Sequence, residues 1–376
     1  MAGSLDLHHV DAFVGTKSLL QLMGSEWKVH RKLISKAFSW QNLVVMVPSM
    51  TSIADDFASV LLKSNAESID VAPLLKLLTL DIIGATAFGS SFNAIHDAKN
   101  PIMEGFTLLL EDFNHRMIEA PFHPGSKFYW LPTKANKLHR ATTQSMRQLI
   151  DDLVASRMKS TSNETYHDLL QFMIAAAHEE NSGVTAQSFA DNLLTFLFAG
   201  FDTTSISLSY ALYLMASHPD VQEKALAENL FITESLRLFP PALVTSRTLE
   251  DEVTIGKHRI PRGTTVMLPI YWIHRYDANW GSDADRFRPE RHLEDSDDIN
   301  LSAKDKGFRM LAFSGGPRNC VGMRYAMLET VVVLAVLLQR CVFSVAKDAP
   351  PVRPVVSGLV QKPEHGVWLN IQPRKA

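Results

Sequence analysis

Apolar positions recur every three or four residues over most of this chain, which is the period of helices with one buried face. The pattern predicts helices opening at Gly24–Ile34 and then over Met46–Leu62, Val71–Phe88, Ile102–Phe113 and Lys134–Met158. Pro121 to Pro132, with a Pro-Gly pair inside it, interrupts them as a loop. Val184–Ser217 is apolar on nearly every face and predicts one long buried helix. Thr233–Phe239 is a short helix stopped by Pro240-Pro241. The signal then changes to short strands over Val244–Leu268. Glu252–Ile260 reads as a hairpin around Gly256, with Ile260–Met267 as its continuation. A helix over Met323–Leu338 follows, and Val342–Gln372 carries proline-interrupted strands suited to an edge sheet. The fold class is mainly α with small β-sheets (α+β), in a single domain over residues 1–376.

Composition supports this and removes some functions. The chain has 376 residues, 46% hydrophobic and 20% charged, enough for a large core. A formal net charge of −3 gives no field for nucleic acid. Cys320 and Cys341 are too few for a disulfide scaffold and suit a reducing compartment. Cys341, at the end of an apolar helix, reads as core. The apolar run Val331–Leu338 falls short of the roughly 18 residues of a membrane span, and the N-terminus is not a secretion signal.

The stretch with the most chemistry is Phe313-Ser-Gly-Gly-Pro-Arg-Asn-Cys-Val-Gly322. Cys320 follows a glycine-proline turn and sits at the mouth of a helix, where the dipole and free N–H groups favour a thiolate. Gly315, Gly316 and Gly322 leave room for a flat group against the backbone. Arg318 can reach an anion on that group. A lone cysteine is most often a small buried hydrophobe. A thiolate, a space for a plane and a cation together suit an axial ligand to haem iron. The spaced pattern Phe313, Gly316, Arg318, Cys320, Gly322 resembles the haem-binding loop of the cytochrome P450 family.

Other stretches agree with that resemblance. Trp27 and Arg31 share a helix face; alone they read as a half-buried Trp and an exposed Arg, and the resemblance implies that both hold a haem propionate. The basic run Lys28, His30, Arg31, Lys32, Lys36 is a solvated face or a landing patch for an acidic redox partner. Ala199-Gly-Phe-Asp-Thr-Thr204 breaks the rules of a buried helix, since Gly is a poor helix former and buried Asp needs partners. The resemblance implies that Ala199 and Gly200 make room for haem and dioxygen, while Asp202 and Thr203 handle protons. Glu234 and Arg237 lie three apart and alone would be a surface pair. The resemblance buries them with Arg291 as a structural network and makes Arg247 a further propionate ligand.

The resemblance therefore implies a P450-like helical fold around a buried haem b, with Cys320 as iron ligand. It implies a monooxygenase that inserts one atom of dioxygen into a small apolar substrate. Ile102–Pro132 would form part of the substrate roof. Electrons would come from an NADPH-dependent reductase or equivalent donor, because the chain has no Gly-rich dinucleotide fingerprint. A monomer without nucleic-acid partners is expected, at the endoplasmic reticulum surface if it follows its family, although no anchor is evident. Two departures favour other readings. The family's anchor, first helices and first strands are missing before Trp27, which would leave an open edge on the strands near 244–268. The chain is also short between Lys224 and Glu234. A non-catalytic relative with weak or no haem binding is one alternative. A reductase-independent isomerase or dehydratase is another, disfavoured by Asp202-Thr203.

Overall fold

The computed structural model describes residues 14–64, 66–97, 99–115, 130–159, 167–180, 184–224, 229–293, 308–357 and 360–374. Its helices are α1 (Gly24–Ala37), α2 (Trp40–Val44), α3 (Val47–Lys63), α4 (Val71–Phe88), α5 (Pro101–Asn114), α6 (Lys134–Lys159), α7 (Leu169–Glu180), α8 (Ala186–Ser217), α9 (Pro219–Lys224), α10 (Asn229–Leu238), α11 (Ile270–Ile273), α12 (Asp277–Trp280) and α13 (Met323–Arg340). The strands are β1 (Ile69–Asp70), β2 (Thr245–Thr248), β3 (Val253–Ile255), β4 (His258–Ile260), β5 (Thr265–Leu268), β6 (Cys341–Val345), β7 (Pro354–Ser357), β8 (Val360–Pro363) and β9 (Trp368–Pro373). The mainly α expectation with small antiparallel sheets holds.

Helix ends fall where the sequence marks them. The Asp70 carboxylate accepts the Ala72 N–H at the start of α4, and Gly89 ends it in the left-handed region at φ 64°. Asn100 accepts from Ile102 and Met103 at the start of α5, where Pro101 takes the first helical position. Thr185 caps α8, which begins at Ala186 rather than Val184.

α8 runs through the core. Against one side lies α4, where Thr79 Oγ1 donates to Phe201 O at 2.8 Å. Against another lie the end of α1 and the start of α13, where the Phe38 ring meets Phe196 and Tyr325 edge-on at 5.3 and 6.3 Å. The chain at residues 17–19 is pinned to the start of α8: Lys17 N donates to Asp191 and Leu19 N to Asn192.

Four expectations need correcting or placing. The strand after Gly256 does not continue its hairpin, because β3 pairs only with β4 whereas β5 pairs with β2, from Thr245↔Leu268 to Thr248↔Thr265. Pro261 ends the first ladder, and Gly263 N and Leu249 N then bond Leu249 O and Thr264 O, which turns the chain back onto β2. The two-stranded β2–β5 sheet has no third strand among the described residues. Two stretches are long and apolar enough to cross a membrane, Trp40–Lys63 and Val71–Phe88, contrary to the expectation that none is. Burial of 67% of the second accounts for its apolarity as a core helix. The roof residues 116–129 and the junction at 225–228 lie outside the described residues.

Candidate functional site

The Cys loop is shaped by its own backbone. Ser314 sits at φ 59° and Gly316 at φ 77°. The second is a conformation glycine adopts without strain, and a Cβ there would meet nothing. Ser314 N donates to Leu311 O at 2.8 Å, and Cys320 N donates to Phe313 O at 2.9 Å. The loop thus closes on itself, with Phe313 packed against the core and Gly322 capping α13. A Cβ on Gly322 would come within 3.9 Å of Cys320 Sγ.

Cys320 is a free thiol and solvent-accessible. Burial is nonetheless the first cause of its pKa, which lies above the ordinary thiol value despite a bond from Gly322 N–H and the nearby Arg31 charge. The thiol is thus open to solvent while the loop and helix around it desolvate it. The helix terminus favours a thiolate but does not offset this burial by itself; a metal cation would supply further stabilisation.

Arginines gather beside the thiol. Arg31 on α1 donates from both terminal nitrogens to Asn319, at 2.7 Å to its carbonyl and 2.6 Å to its side chain. Arg318 stacks 4.1 Å over the Trp27 ring. Arg247 on β2 reaches Ser314 Oγ at 3.1 Å. Burial, then repulsion from Arg247 and Arg31, lowers the Arg318 pKa. None of the three makes a carboxylate ion pair among the described residues. Clustered, partly desolvated cations without counter-charge fit an anionic group, such as the propionates of a flat macrocycle.

α8 offers a matching wall. Most of its middle is buried, but Ala199 is exposed and Gly200, Thr203 and Ser207 are half-buried. Steps of four put Ala199, Thr203 and Ser207 on one face, and this stripe is the less buried side of the helix's middle. Thr203 Oγ1 donates to Ala199 O at 2.7 Å, and Ser207 Oγ to Thr203 O at 2.9 Å. A Cβ on Gly200 would instead meet Ile83 of α4 at 3.3 Å, so this glycine lets α4 approach α8. Asp202 is buried, with Lys76 Nζ of α4 at 2.6 Å from Oδ1 in an ion pair lacking hydrogen-bond angles. A thiol, an uncompensated cation cluster and an exposed small-residue stripe on a core helix fit a haem. Cys320 would be its ligand, with Trp27, Arg31, Arg247 and Arg318 at its acidic edge.

The Glu-Arg network is buried. Glu234 accepts from Arg237 at 2.7 and 2.8 Å, from Arg291 and the Arg288 N–H at 2.9 Å, and contacts His292 at 2.9 Å. Burial alone would raise Glu234, but these donors hold it at about 2. Arg237 spends its remaining donors on the carbonyls of His274, Ala284 and Arg286.

Several participants were not read from the sequence. Asn319 orients Arg31 and Lys76 neutralises Asp202. Glu329 of α13 is buried against Thr204, and burial raises its pKa well above the carboxylate range. A charged residue within the apolar Met323–Leu338 run was the available clue for Glu329.

The cytochrome P450 family profile matches residues 2–230 and 228–369. The chain is 31% identical to cytochrome P450 734A1 of Arabidopsis thaliana over 94% of this chain and 71% of that protein. It is 30% identical to 11-oxo-beta-amyrin 30-oxidase of Glycyrrhiza uralensis, over 93% and 71%. It is 29% identical to a cytokinin hydroxylase of Arabidopsis thaliana, over 96% and 72%. It spans 66 to 73% of the length of relatives of this kind. Together with the site, these matches mean that the chain belongs to the cytochrome P450 family of haem-dependent oxidoreductases.

Proposed function

We propose that this chain is a haem-thiolate monooxygenase acting on a small apolar substrate with electrons from a partner reductase. The observation that carries this reading is the accessible Cys320 in a loop where Arg31, Arg247 and Arg318 gather, none of them in a carboxylate ion pair among the described residues; the exposed Ala199–Thr203 stripe of α8 supports it. Haem b, when bound, supplies the reductive activation of dioxygen. The chain's own residues supply the rest. Cys320 offers its sulfur, with the Gly322 N–H bonding it. Arg31 is pre-oriented by Asn319 and Arg318 by Trp27, so little rotamer freedom is lost when they meet an anion. The Thr203 hydroxyl, spent as donor on Ala199 O, keeps its oxygen as an acceptor on the open stripe of α8. Asp202, one residue away, is held in place by its ion pair with Lys76. The endoplasmic reticulum surface is the proposed location.

The test is the absorption spectrum of the purified chain, reduced and exposed to carbon monoxide. A strongly red-shifted Soret band that disappears in Cys320→Ala supports the reading. Thiolate-type absorption persisting in Cys320→Ala refutes it. One observation favours a second reading, a relative that binds haem weakly. The family profile matches in two blocks that meet at 228–230, inside the stretch where the chain looks short. An unshifted band, or no haem, supports that alternative.

A further inference from the structure

The Glu234–Arg237 network and the Cys loop are far apart in sequence, and one side chain joins them. His274 is fully buried at the end of α11. Its Nδ1 lies 3.1 Å from Arg237 O, and the Leu311 N–H donates to its Nε2 at 2.7 Å. A carbonyl can only accept and an N–H can only donate. The ring is therefore neutral, with its proton on Nδ1. The His274 backbone joins in as well, because Arg237 Nη1 donates to His274 O at 2.7 Å. Trp280, itself under Arg237, meets the ring edge-on at 6.5 Å. Leu311 is where the Cys loop begins: its carbonyl accepts from Ser314 N, and Phe313 O then holds Cys320 N.

We propose that His274 is a positioning residue for Cys320. It transmits the fixed geometry of α10 through Leu311 to the turn that presents the thiol. The imidazole touches neither the thiol nor any substrate, and acts through the Leu311 N–H. This rests on Cys320 being a working thiol, but not on the reaction that follows.

The test separates the two bonds of the ring. His274→Gln carries an amide oxygen near the place of Nε2 and keeps an acceptor for Leu311. His274→Asn carries its amide near Nδ1 and keeps only the link to Arg237. In the full chain without haem, the rate of Cys320 alkylation by iodoacetamide is measured. Buried Cys341 stays silent in the folded protein. The expected result is a change of roughly tenfold in His274→Asn, the equivalent of one lost buried hydrogen bond, and a near wild-type rate in His274→Gln. With haem supplied, the reduced carbon monoxide band should move from the thiolate position in the Asn variant only. Equal rates in both variants, or changes that merely follow their unfolding midpoints, would overturn the proposal. If neither variant folds, histidine nitrogen NMR of the wild-type chain decides. A ring protonated at Nδ1 with a slowly exchanging Leu311 amide supports it, and a ring protonated at Nε2 refutes it. A chain that never binds haem but shows the Asn-specific alkylation change keeps this inference and loses the monooxygenase reading.

Discussion

Single residues show how burial turns ordinary groups into specific ones. Glu234 is ringed by donors and gives the clearest stability prediction. Removing its charge as Glu234→Gln leaves Arg237 buried without a counter-ion and leaves Arg291 with Asp283 alone. The expected loss is about 3–5 kcal/mol, read as a lower urea midpoint. His274 gives a pH prediction. Burial, as the main cause, holds its pKa at about 4 rather than 6.5. The unfolded chain binds that proton first, so its contribution is complete above pH 6.5 and declines as pH falls from there toward 4. The span corresponds to about 3 kcal/mol. Urea melts across this range should slope for wild type and flatten for His274→Gln. The Cys loop was legible from sequence because its participants are contiguous and its glycines mark the turn. His274, Asn319 and Lys76 were not, because each acts through a partner brought near only by folding, as Lys76 on α4 meets Asp202 on α8.

At the scale of elements, helices were legible wherever a cap and a period agreed. Asp70 and Gly89 bound α4 at the residues that the pattern predicts. The β2–β5 pairing was not legible, since alternation alone cannot say which strand follows which into a ladder. The seam between α4 and α8 yields a packing prediction. In Gly200→Ala, the new methyl meets the flexible end of Ile83 at 3.3 Å. The gain in helix propensity of about 1 kcal/mol then offsets the crowding, and the melting temperature should hold. Gly200→Val cannot be absorbed this way and should cost about 1–3 kcal/mol. Combining it with Ile83→Ala should recover part of that loss. A full loss in the double variant would place the crowding elsewhere than this seam.

The whole molecule is closed by a small sheet made from distant stretches. β9 lies between β1 and β6. Asp70, which starts α4, also accepts the Val367 N–H at 2.8 Å, across 297 positions. Asp70→Ala therefore loses a helix cap and a sheet contact together. A cost of about 1–2 kcal/mol is expected from the cap alone. Hydrogen exchange should show faster opening both at the start of α4 and along β9, whereas a purely local cap would affect the first only. The same clasp has a consequence for biosynthesis. Residues 367–373 are the last part of this sheet to leave the ribosome, so the start of α4 gains its sheet partner only after 297 further residues have been made. A ribosome that stalls shortly before Val367 would leave a chain bearing Cys320 and every residue around it, yet without the strand that closes the fold.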